Sequence, residues 1–444
     1  MSRGAAAVLL AALFLSLRLV LLFARDPFFD EMFTVWMAHQ PFGAIVEHLR
    51  HDSGPPLYYF LARIANVTAL RVLSLLFACV PFALLLWRRN YIAAALLAVF
   101  PPAVLFAVDA RAYALCGAMI AIAIVLLDDD RPYAAAIALV LAAYSHYYGV
   151  LFFPALLVGA AGALARRSSS SFRRARRPPL QRFGAFALAA ILYIPGFCLA
   201  AQQPKEATAW LGSFFPLAPL TSLSFAGDYP AALFAPPPRA LIVIALIVAL
   251  LALARSWRYA HYVLVPLVLA VAFAFLGRRV WFPMRFDSVI AFPLVLWLAA
   301  SLERWKRKHA LVAALLGIAL FVDITGIADH LQRPPDAYRQ AARFAASRNL
   351  PIVASGYCYL ETAVLAPNVI AFPREQAVHP GWRATLPSAR LHEESGSALP
   401  QSAFVWVGER SAPELAVLQS TRRIEPVIID RRAVVARVLP AAVH

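Results

Sequence analysis

Long apolar stretches alternate with short polar or charged segments along the first three quarters of the chain. A membrane-spanning helix needs about 20 mostly apolar residues, because lipid cannot satisfy an exposed backbone. The pattern therefore predicts an all-α polytopic membrane protein with about 11 transmembrane helices. The predicted spans are 5–23, 70–87, 91–108, 112–127, 133–146, 147–165, 183–200, 239–254, 260–276, 288–300 and 310–322.

The segment between the first two spans, residues 24–69, is long and only partly polar. Phe42, Ile45, Val46 and Leu49 recur at helical spacing, and a second apolar run at 57–64 is too short to span. We expect both to form amphipathic helices on the membrane surface.

The pattern changes near residue 323, where long apolar stretches give way to short ones. A helical pattern over 336–347 precedes several β-rich runs, and two more helical stretches intervene near 359–366 and 412–419. These features predict a small C-terminal α/β domain over 323–444, following a transmembrane domain over 1–322. The predicted strands lie at 351–355, 368–372, 403–407, 424–429 and 434–438.

Composition supports a membrane protein. The 444 residues are 62% hydrophobic and 15% charged, whereas soluble domains average about 25% charged residues. This composition excludes an ordinary soluble enzyme and a disordered chain.

The net charge of +17 acts as an orientation signal. With the N-terminus inside, the most basic loops all fall on one face, which is the cytoplasmic face by the positive-inside rule. This predicts a multi-pass membrane protein with an extracytoplasmic C-terminal domain. Membrane lipids are then the partners of these loops, and nucleic acid is not needed. The loops lie at 88–89, 166–182, 255–258 and 304–308.

Few ionisable residues lie at the outer ends of the spans, so these are the candidate site residues. Carboxylates there can take a proton from an attacking hydroxyl, and arginine guanidiniums suit a phosphate. Together they fit glycosyl transfer from a lipid-linked sugar phosphate. The candidates are Asp30, Glu31, Asp52, Asp109, Arg111, Tyr113, His146, Tyr147, Arg278, Arg279 and Arg285.

Each candidate also has a purely structural interpretation. Asp30 and Glu31 can cap the following helix, and Asp109 can pair with Arg111. Arg278 and Arg279 can anchor headgroups, and His146 can be a satisfied interfacial histidine. Arg18, inside the first span, is expected to extend towards the interface rather than bind substrate. Residues 39–52 include three histidines and Asp52 without a strong metal-ligand spacing, which leaves a divalent metal cofactor undecided.

In this order, the motifs resemble the bacterial branch of the dolichyl-phosphate-mannose-protein mannosyltransferase-like family. That family has the C-type membrane glycosyltransferase fold, which the lipid A aminoarabinose transferase shares. The resemblance covers about 1–300 in architecture. It rests on Asp30-Glu31, Asp52-Ser-Gly-Pro-Pro-Leu-Tyr-Tyr, Ala69-Leu-Arg-Val-Leu-Ser, Asp109-Ala-Arg-Ala-Tyr, Ser145-His-Tyr-Tyr-Gly and Arg285-Phe286.

The resemblance implies roles for these positions. Asp30 would be the catalytic base with Glu31 as its neighbour, and Asp52 would occupy the loop position before the Pro-Pro pair. Asp109, Arg111 and Tyr113 would lie near the donor phosphate. The implied donor is a polyprenyl-phosphate sugar, and the implied location is the bacterial inner membrane. The motifs leave open whether the acceptor is a glycan, a lipid or a protein.

The chain departs from the family pattern at three positions. Gly54 replaces the histidine that commonly precedes the Pro-Pro pair, Asp109 replaces a frequent glutamate, and Asp287 follows Arg285-Phe286. The first departure bears on any metal or acceptor contact at that position. Two other functions remain open: a transporter or lipid flippase, and a non-catalytic scaffold.

Overall fold

The computed structural model describes most of the apolar part of the chain and the greater part of the tail. The described residues are 2–63, 66–154, 157, 179–204, 253, 255–275, 284–332, 337–355, 358–366, 369–372, 399–408, 413–429 and 434–440. Several predicted features lie outside them: Arg278, Arg279, the span predicted at 147–165 after its first turns, nearly all of the span predicted at 239–254 and most of the basic loop 166–182.

The chain divides into two compact units. The membrane unit comprises residues 1–25, 53–64 and 68–332, and the tail unit comprises residues 26–52, 65–67 and 333–444. The outer loop that follows the first span therefore clusters with the C-terminal tail.

Helices make up the described part of the membrane unit. Apart from the short helix Leu57–Leu61, which follows the first predicted span, they fall in nine of the predicted spans. They are α1 (Arg3–Ala24), α4 (Leu57–Leu61), α5 (Val67–Trp87), α6 (Tyr91–Ala98), α7 (Pro101–Leu105), α8 (Tyr113–Asp128), α9 (Pro132–Ser145), α10 (Pro179–Leu192), α11 (Ile194–Gln202), α12 (His261–Phe275), α13 (Arg285–Val289), α14 (Ala291–Leu302) and α15 (Lys308–Gln332), with 3-10 turns at Phe106–Val108 and Tyr147–Phe152.

Three of the described helices are long and apolar enough to cross a membrane: α1, α5 and the helix that begins at Lys308. The number rises to five if each of two bent helix pairs forms one span. Shorter apolar helices, including α8, α9 and α14, add to these. The figure of about 11 transmembrane helices stays a prediction.

Two adjacent prolines break the span predicted at 91–108. Pro101 and Pro102 have no backbone N–H, so they cannot continue the hydrogen-bond ladder of α6. Helix α6 ends at Ala98, α7 begins at Pro101, and their axes differ by 68°. The carbonyls at the end of α6 therefore need donors from another element.

Alanine-rich helices form the core of the membrane unit. Helices α8 and α9 pack against each other, and Ala118, Ala121, Ala135 and Ala142 are fully buried. Small side chains let helix backbones approach closely, as in membrane bundles generally.

The tail unit combines helices with a mixed five-stranded sheet. The helices are α2 (Phe29–Ala38), α3 (Phe42–Arg50), α16 (Ala337–Arg348), α17 (Cys358–Leu365) and α18 (Pro413–Thr421). The strands are β1 (Ile352–Ser355), β2 (Val369–Phe372), β3 (Phe404–Gly408), β4 (Ile424–Ile429) and β5 (Val434–Val438). All five predicted strands are therefore present.

The sheet has the strand order β2-β1-β3-β5-β4. Strand β1 pairs in parallel with β2 and β3, with Ile352 opposite both Val369 and Val405. The parallel β1–β2 pair is possible because α17 carries the chain back to the start of the sheet between these two strands. Strand β5 pairs antiparallel with β3 and β4. Val353, Phe404 and Trp406 form the centre of a separate hydrophobic core.

Candidate active site

Arg18 is buried rather than extended to the interface, which corrects the expectation from the sequence. Its guanidinium donates to the carbonyls of Ala98 at 2.8 Å, Leu97 at 3.2 Å and Ala103 at 3.2 Å. These carbonyls flank the break between α6 and α7. In lipid an unpaired carbonyl costs several kcal/mol, and the carbonyls at the break need a donor that the helix cannot supply. Their hydrogen bonds with Arg18 therefore stabilise its guanidinium inside the bundle.

Arg25 forms a buried ion pair with Asp109. Its guanidinium also donates to the Leu105 carbonyl at 3.4 Å. Arg25 follows Arg18 by seven residues, which is two helical turns, so both side chains leave the same face of α1. Helix α1 therefore holds the segment 97–109 through two arginines, one at the break and one at its outer end.

Arg71 fixes the C-terminal end of α1 in turn. Its guanidinium donates to the carbonyls of Arg25 at 2.6 Å and Leu22 at 3.3 Å. A charged donor on the last carbonyls of a helix satisfies these groups and complements the helix dipole. Arg71 thus orients the residue that pairs with Asp109.

Asp109 and Arg111 each contact a residue of another segment of the membrane unit. Asp109 is fully buried against Arg25, whereas the half-buried Arg111 donates to the Tyr59 hydroxyl at 3.1 Å. The adjacent Tyr58 hydroxyl shares a 2.9 Å hydrogen bond with Ser74. The two tyrosines that follow the Pro-Pro pair therefore connect α4 to Arg111 and to α5.

Tyr113, His146 and Arg285 form an aromatic and cationic cluster. The rings of Tyr113 and His146 are 5.1 Å apart, and the Arg285 guanidinium lies 5.7 Å from the centre of the Tyr113 ring. His146 Nδ1 accepts the Tyr148 backbone N–H at 3.2 Å, so the proton of a neutral imidazole is on Nε2.

Tyr147 and Gln203 hold the loop before the Pro-Pro pair. The Tyr147 hydroxyl lies 2.8 Å from Gln203 Oε1, and Gln203 Nε2 donates to the Gly54 carbonyl at 2.9 Å. Gly54 has φ +146°, a conformation that favours glycine. A histidine would be strained here, which gives a physical reason for the departure from the family pattern.

Asp287 closes the N-terminal end of α13. Its carboxylate accepts the Met284 backbone N–H at 2.9 Å, which fixes the start of the short helix that carries Arg285. Desolvation raises the pKa of Asp287 from its usual 3.8 to about 6, although the hydrogen bond from Met284 favours the ionised form.

The predicted acidic residues of the first outer loop lie in the tail unit. Glu31 is fully buried and accepts the Phe28 backbone N–H at 3.3 Å, as the third residue of a capped helix does. Asp30 is half-buried at the second position of α2, and its carbonyl accepts the Thr34 hydroxyl. Asp52 lies in the turn after α3. Glu31 therefore has the capping role at the N-terminal end of α2.

A small, partly open cavity in the membrane unit lies next to the cluster of Tyr113, His146 and Arg285. Apolar side chains predominate in its wall, and Tyr113 belongs both to the wall and to the cationic cluster. Its lining includes Phe14, Arg18, Leu97, Phe106, Tyr113 and Phe292.

Metal ligands do not cluster in the described part of the chain, where no group of three or more His, Cys, Asp or Glu side chains could hold an ion. His48 lies against Trp36 at 5.1 Å between ring centres. Desolvation lowers the pKa of His48, and the neighbouring His51 lowers it further while Glu47 opposes the shift.

The structure thus groups five predicted residues in the membrane unit: Arg111, Tyr113, His146, Tyr147 and Arg285. Sequence reasoning did not assign a site role to Arg25, Arg71, Tyr59 or Gln203. Three of these could have been found, since Arg25 repeats Arg18 at a seven-residue interval and Tyr59 and Arg71 belong to quoted motifs.

Known structures with a similar fold cover nearly the whole chain. Crystal structures of ArnT from Cupriavidus metallidurans match in the apo state, with a TM-score of 0.63 and 13% identity over 97% of both chains. The same protein bound to undecaprenyl phosphate matches with a TM-score of 0.61 and 12% identity over 98% of both chains. The chain has the fold of ArnT. No family model matches the sequence, and neither does any curated protein.

The similarity to ArnT confirms the predicted relation to the lipid A aminoarabinose transferase at the level of fold. A mostly helical membrane fold with a small mixed sheet is therefore established for this chain. At 12–13% identity the match does not transfer activity or substrate.

Proposed function

We propose that this chain is a glycosyltransferase of the bacterial inner membrane that uses a polyprenyl-phosphate sugar. It would transfer the sugar to an acceptor hydroxyl at the outer face. The observation that carries the proposal is the placement of the Arg285 guanidinium beside the Tyr113–His146 pair, with Arg111 two residues before Tyr113, on an ArnT-like fold.

Charge and shape both favour this class of donor. Two guanidiniums provide several hydrogen-bond donors for one phosphate, and the neutral His146 adds an Nε2–H without repelling them. The apolar cavity shares Tyr113 with this cluster, so a molecule with an anionic head and a hydrocarbon tail fits the pair of environments. ArnT itself has been crystallised with undecaprenyl phosphate.

The proposed reaction is a single displacement at the anomeric carbon. The acceptor oxygen forms a bond to that carbon, and the Asp30 carboxylate takes the acceptor's proton. The bond between the anomeric carbon and the phosphate oxygen breaks, and its electron pair leaves with the polyprenyl phosphate. Arg111 and Arg285 stabilise the negative charge that develops on the departing phosphate.

Glu31, Tyr147 and Asp109 have supporting roles in this proposal. Glu31 caps α2 beneath Asp30, and Tyr147 orders the Gly54 loop. Asp109 acts through Arg25 rather than on the donor. Asp52 and Arg279 are proposed to contact substrate, from the family resemblance for Asp52 and from the outer-loop position for Arg279. We propose no metal step.

Donor cleavage is the experiment that tests this function. Membranes containing the full chain are incubated with a polyprenyl-phosphate sugar, and free polyprenyl phosphate is measured by mass spectrometry. We expect release that depends on the chain and on added cell-envelope acceptors. Transport of intact donor without any release would favour a flippase instead.

A further inference from the structure

The tail unit holds the helix that carries Asp30. Helix α2 packs against α17, and both belong to the tail unit. Met32, Phe33, Val35 and Met37 of α2 are buried. On α17, Cys358, Tyr359 and Thr362 are buried as well. Helix α2 is therefore part of the hydrophobic packing of the tail.

A second attachment lies just before α2. Asp26 pairs with Arg339 on α16, with 3.6 Å between the carboxylate and guanidinium atoms. Tyr338, next to Arg339, is buried and hydrogen-bonds through its hydroxyl to Cys358 and Glu361 of α17. Helices α16 and α17 are thus fastened to each other, and each contacts the segment 26–38.

We infer that the tail unit sets the position of the Asp30 carboxylate, with Asp26 and Arg339 as positioning residues for the proposed transfer reaction. This inference rests on the proposed function. Asp30 lies four residues after Asp26, at the second position of α2, so the ion pair lies at the end of the helix that carries the base. Displacing a general base by about 1 Å can lower a rate by up to about a hundredfold.

The ion pair is half-exposed, so its contribution to stability is small, and the effect of its loss should appear in the rate. Reversing one charge places two like charges together at the start of α2, whereas reversing both restores an attractive pair. The informative variants are therefore Asp26→Arg, Arg339→Asp and the double variant.

The experiment measures donor cleavage by the full chain in membranes over a range of donor concentrations. Each single variant is expected to lower kcat about three- to tenfold while KM for the donor stays within about twofold. The double variant should recover most of the lost kcat. Arg343→Asp, on the same helix and exposed, is the matched control and should retain kcat.

Two outcomes would overturn the inference. One is an unchanged kcat in both single variants, and the other is a double variant whose loss in kcat equals the combined losses of the two single variants. The pH profile of kcat separates positioning from lost fold, because a displaced base changes the acidic limb whereas partial unfolding lowers all points equally. Failure of the proposed function is distinguishable, since the wild-type chain would then release no polyprenyl phosphate at all. Retained transfer by an Asp30→Asn variant would instead exclude Asp30 as the base.

Discussion

Arg25 and Asp109 form an ion pair whose side chains are 3% and 0% exposed. Their position explains how a helix in the first span can order a turn more than eighty residues later. The Arg111 backbone N–H donates to the Asp109 carbonyl at 2.7 Å, so fixing Asp109 also fixes the residue proposed to bind phosphate.

Breaking this pair should destabilise the protein more than replacing it. Loss of one partner of a buried ion pair typically costs about 3–5 kcal/mol, because the other charge stays desolvated. We expect Arg25→Ala and Asp109→Ala to lower the thermal unfolding midpoint in detergent strongly. A double Arg25→Met and Asp109→Leu variant should lose less than the two single variants combined. Strictly additive losses would contradict the buried-pair account.

Removal of either proposed phosphate ligand should weaken binding of the lipid phosphate. A charge-assisted hydrogen bond contributes about 1.5–3 kcal/mol, so we expect Arg111→Ala and Arg285→Ala each to raise the Kd for undecaprenyl phosphate about 10- to 150-fold. Microscale thermophoresis on purified protein measures this directly. Arg88→Ala, in a predicted cytoplasmic loop, is the control and should bind normally. Unchanged affinity in both variants would exclude them as phosphate ligands.

Gly54 should not tolerate the histidine common in the family. Its φ of +146° is strained for any residue with a Cβ, although the nearest atom to that Cβ, the Tyr59 hydroxyl oxygen, is 3.9 Å away. We expect Gly54→Ala and Gly54→His to lower donor cleavage to a similar extent, since backbone strain and not side-chain size is the cause. Full activity of Gly54→His would show that the loop conformation is not required.

Asp287 should give stability a pH dependence in the acidic range. Its pKa of about 6 in the folded state exceeds the usual value of 3.8. Between about pH 4 and pH 6 the folded state therefore binds more protons at Asp287 than the unfolded state does. The free energy of unfolding contributed by Asp287 therefore falls as pH rises from about 4 to about 6. Asp287→Asn keeps an acceptor for the Met284 N–H but cannot ionise.

The comparison of thermal midpoints between wild type and Asp287→Asn from pH 4 to 7 tests this. The wild type should lose stability relative to the variant as pH rises through the window. A difference that stays constant with pH would contradict the raised pKa.

Hydrophobic periodicity was enough to predict the secondary structure of the tail, because each strand there is a short β-branched run bounded by turn residues. Helix α16 and strands β1 to β5 lie within a few residues of their predicted positions. The sequence also predicted the helical outer loop, where α3 buries Ile45 and Leu49.

Pairing between distant side chains could not be predicted in the same way. Their closeness in the sequence suggested an ion pair between Asp109 and Arg111. In the structure the backbone of Asp109 is extended, and its carboxylate forms an ion pair with Arg25. Arg18 appeared free to reach the interface, because the need of the Leu97 and Ala98 carbonyls for a donor arises only once Pro101 and Pro102 break the helix. Such partners depend on tertiary packing, which local patterns do not encode.

Asp30→Asn tests the central claim most directly, provided that transfer and binding are measured on the same preparation. The purified variant in nanodiscs is assayed for release of polyprenyl phosphate from a polyprenyl-phosphate sugar and for the Kd of undecaprenyl phosphate. We expect release to fall at least about a hundredfold, because the acceptor loses its base, with Kd within about twofold of wild type. Transfer at the wild-type rate by a folded Asp30→Asn variant would contradict the account.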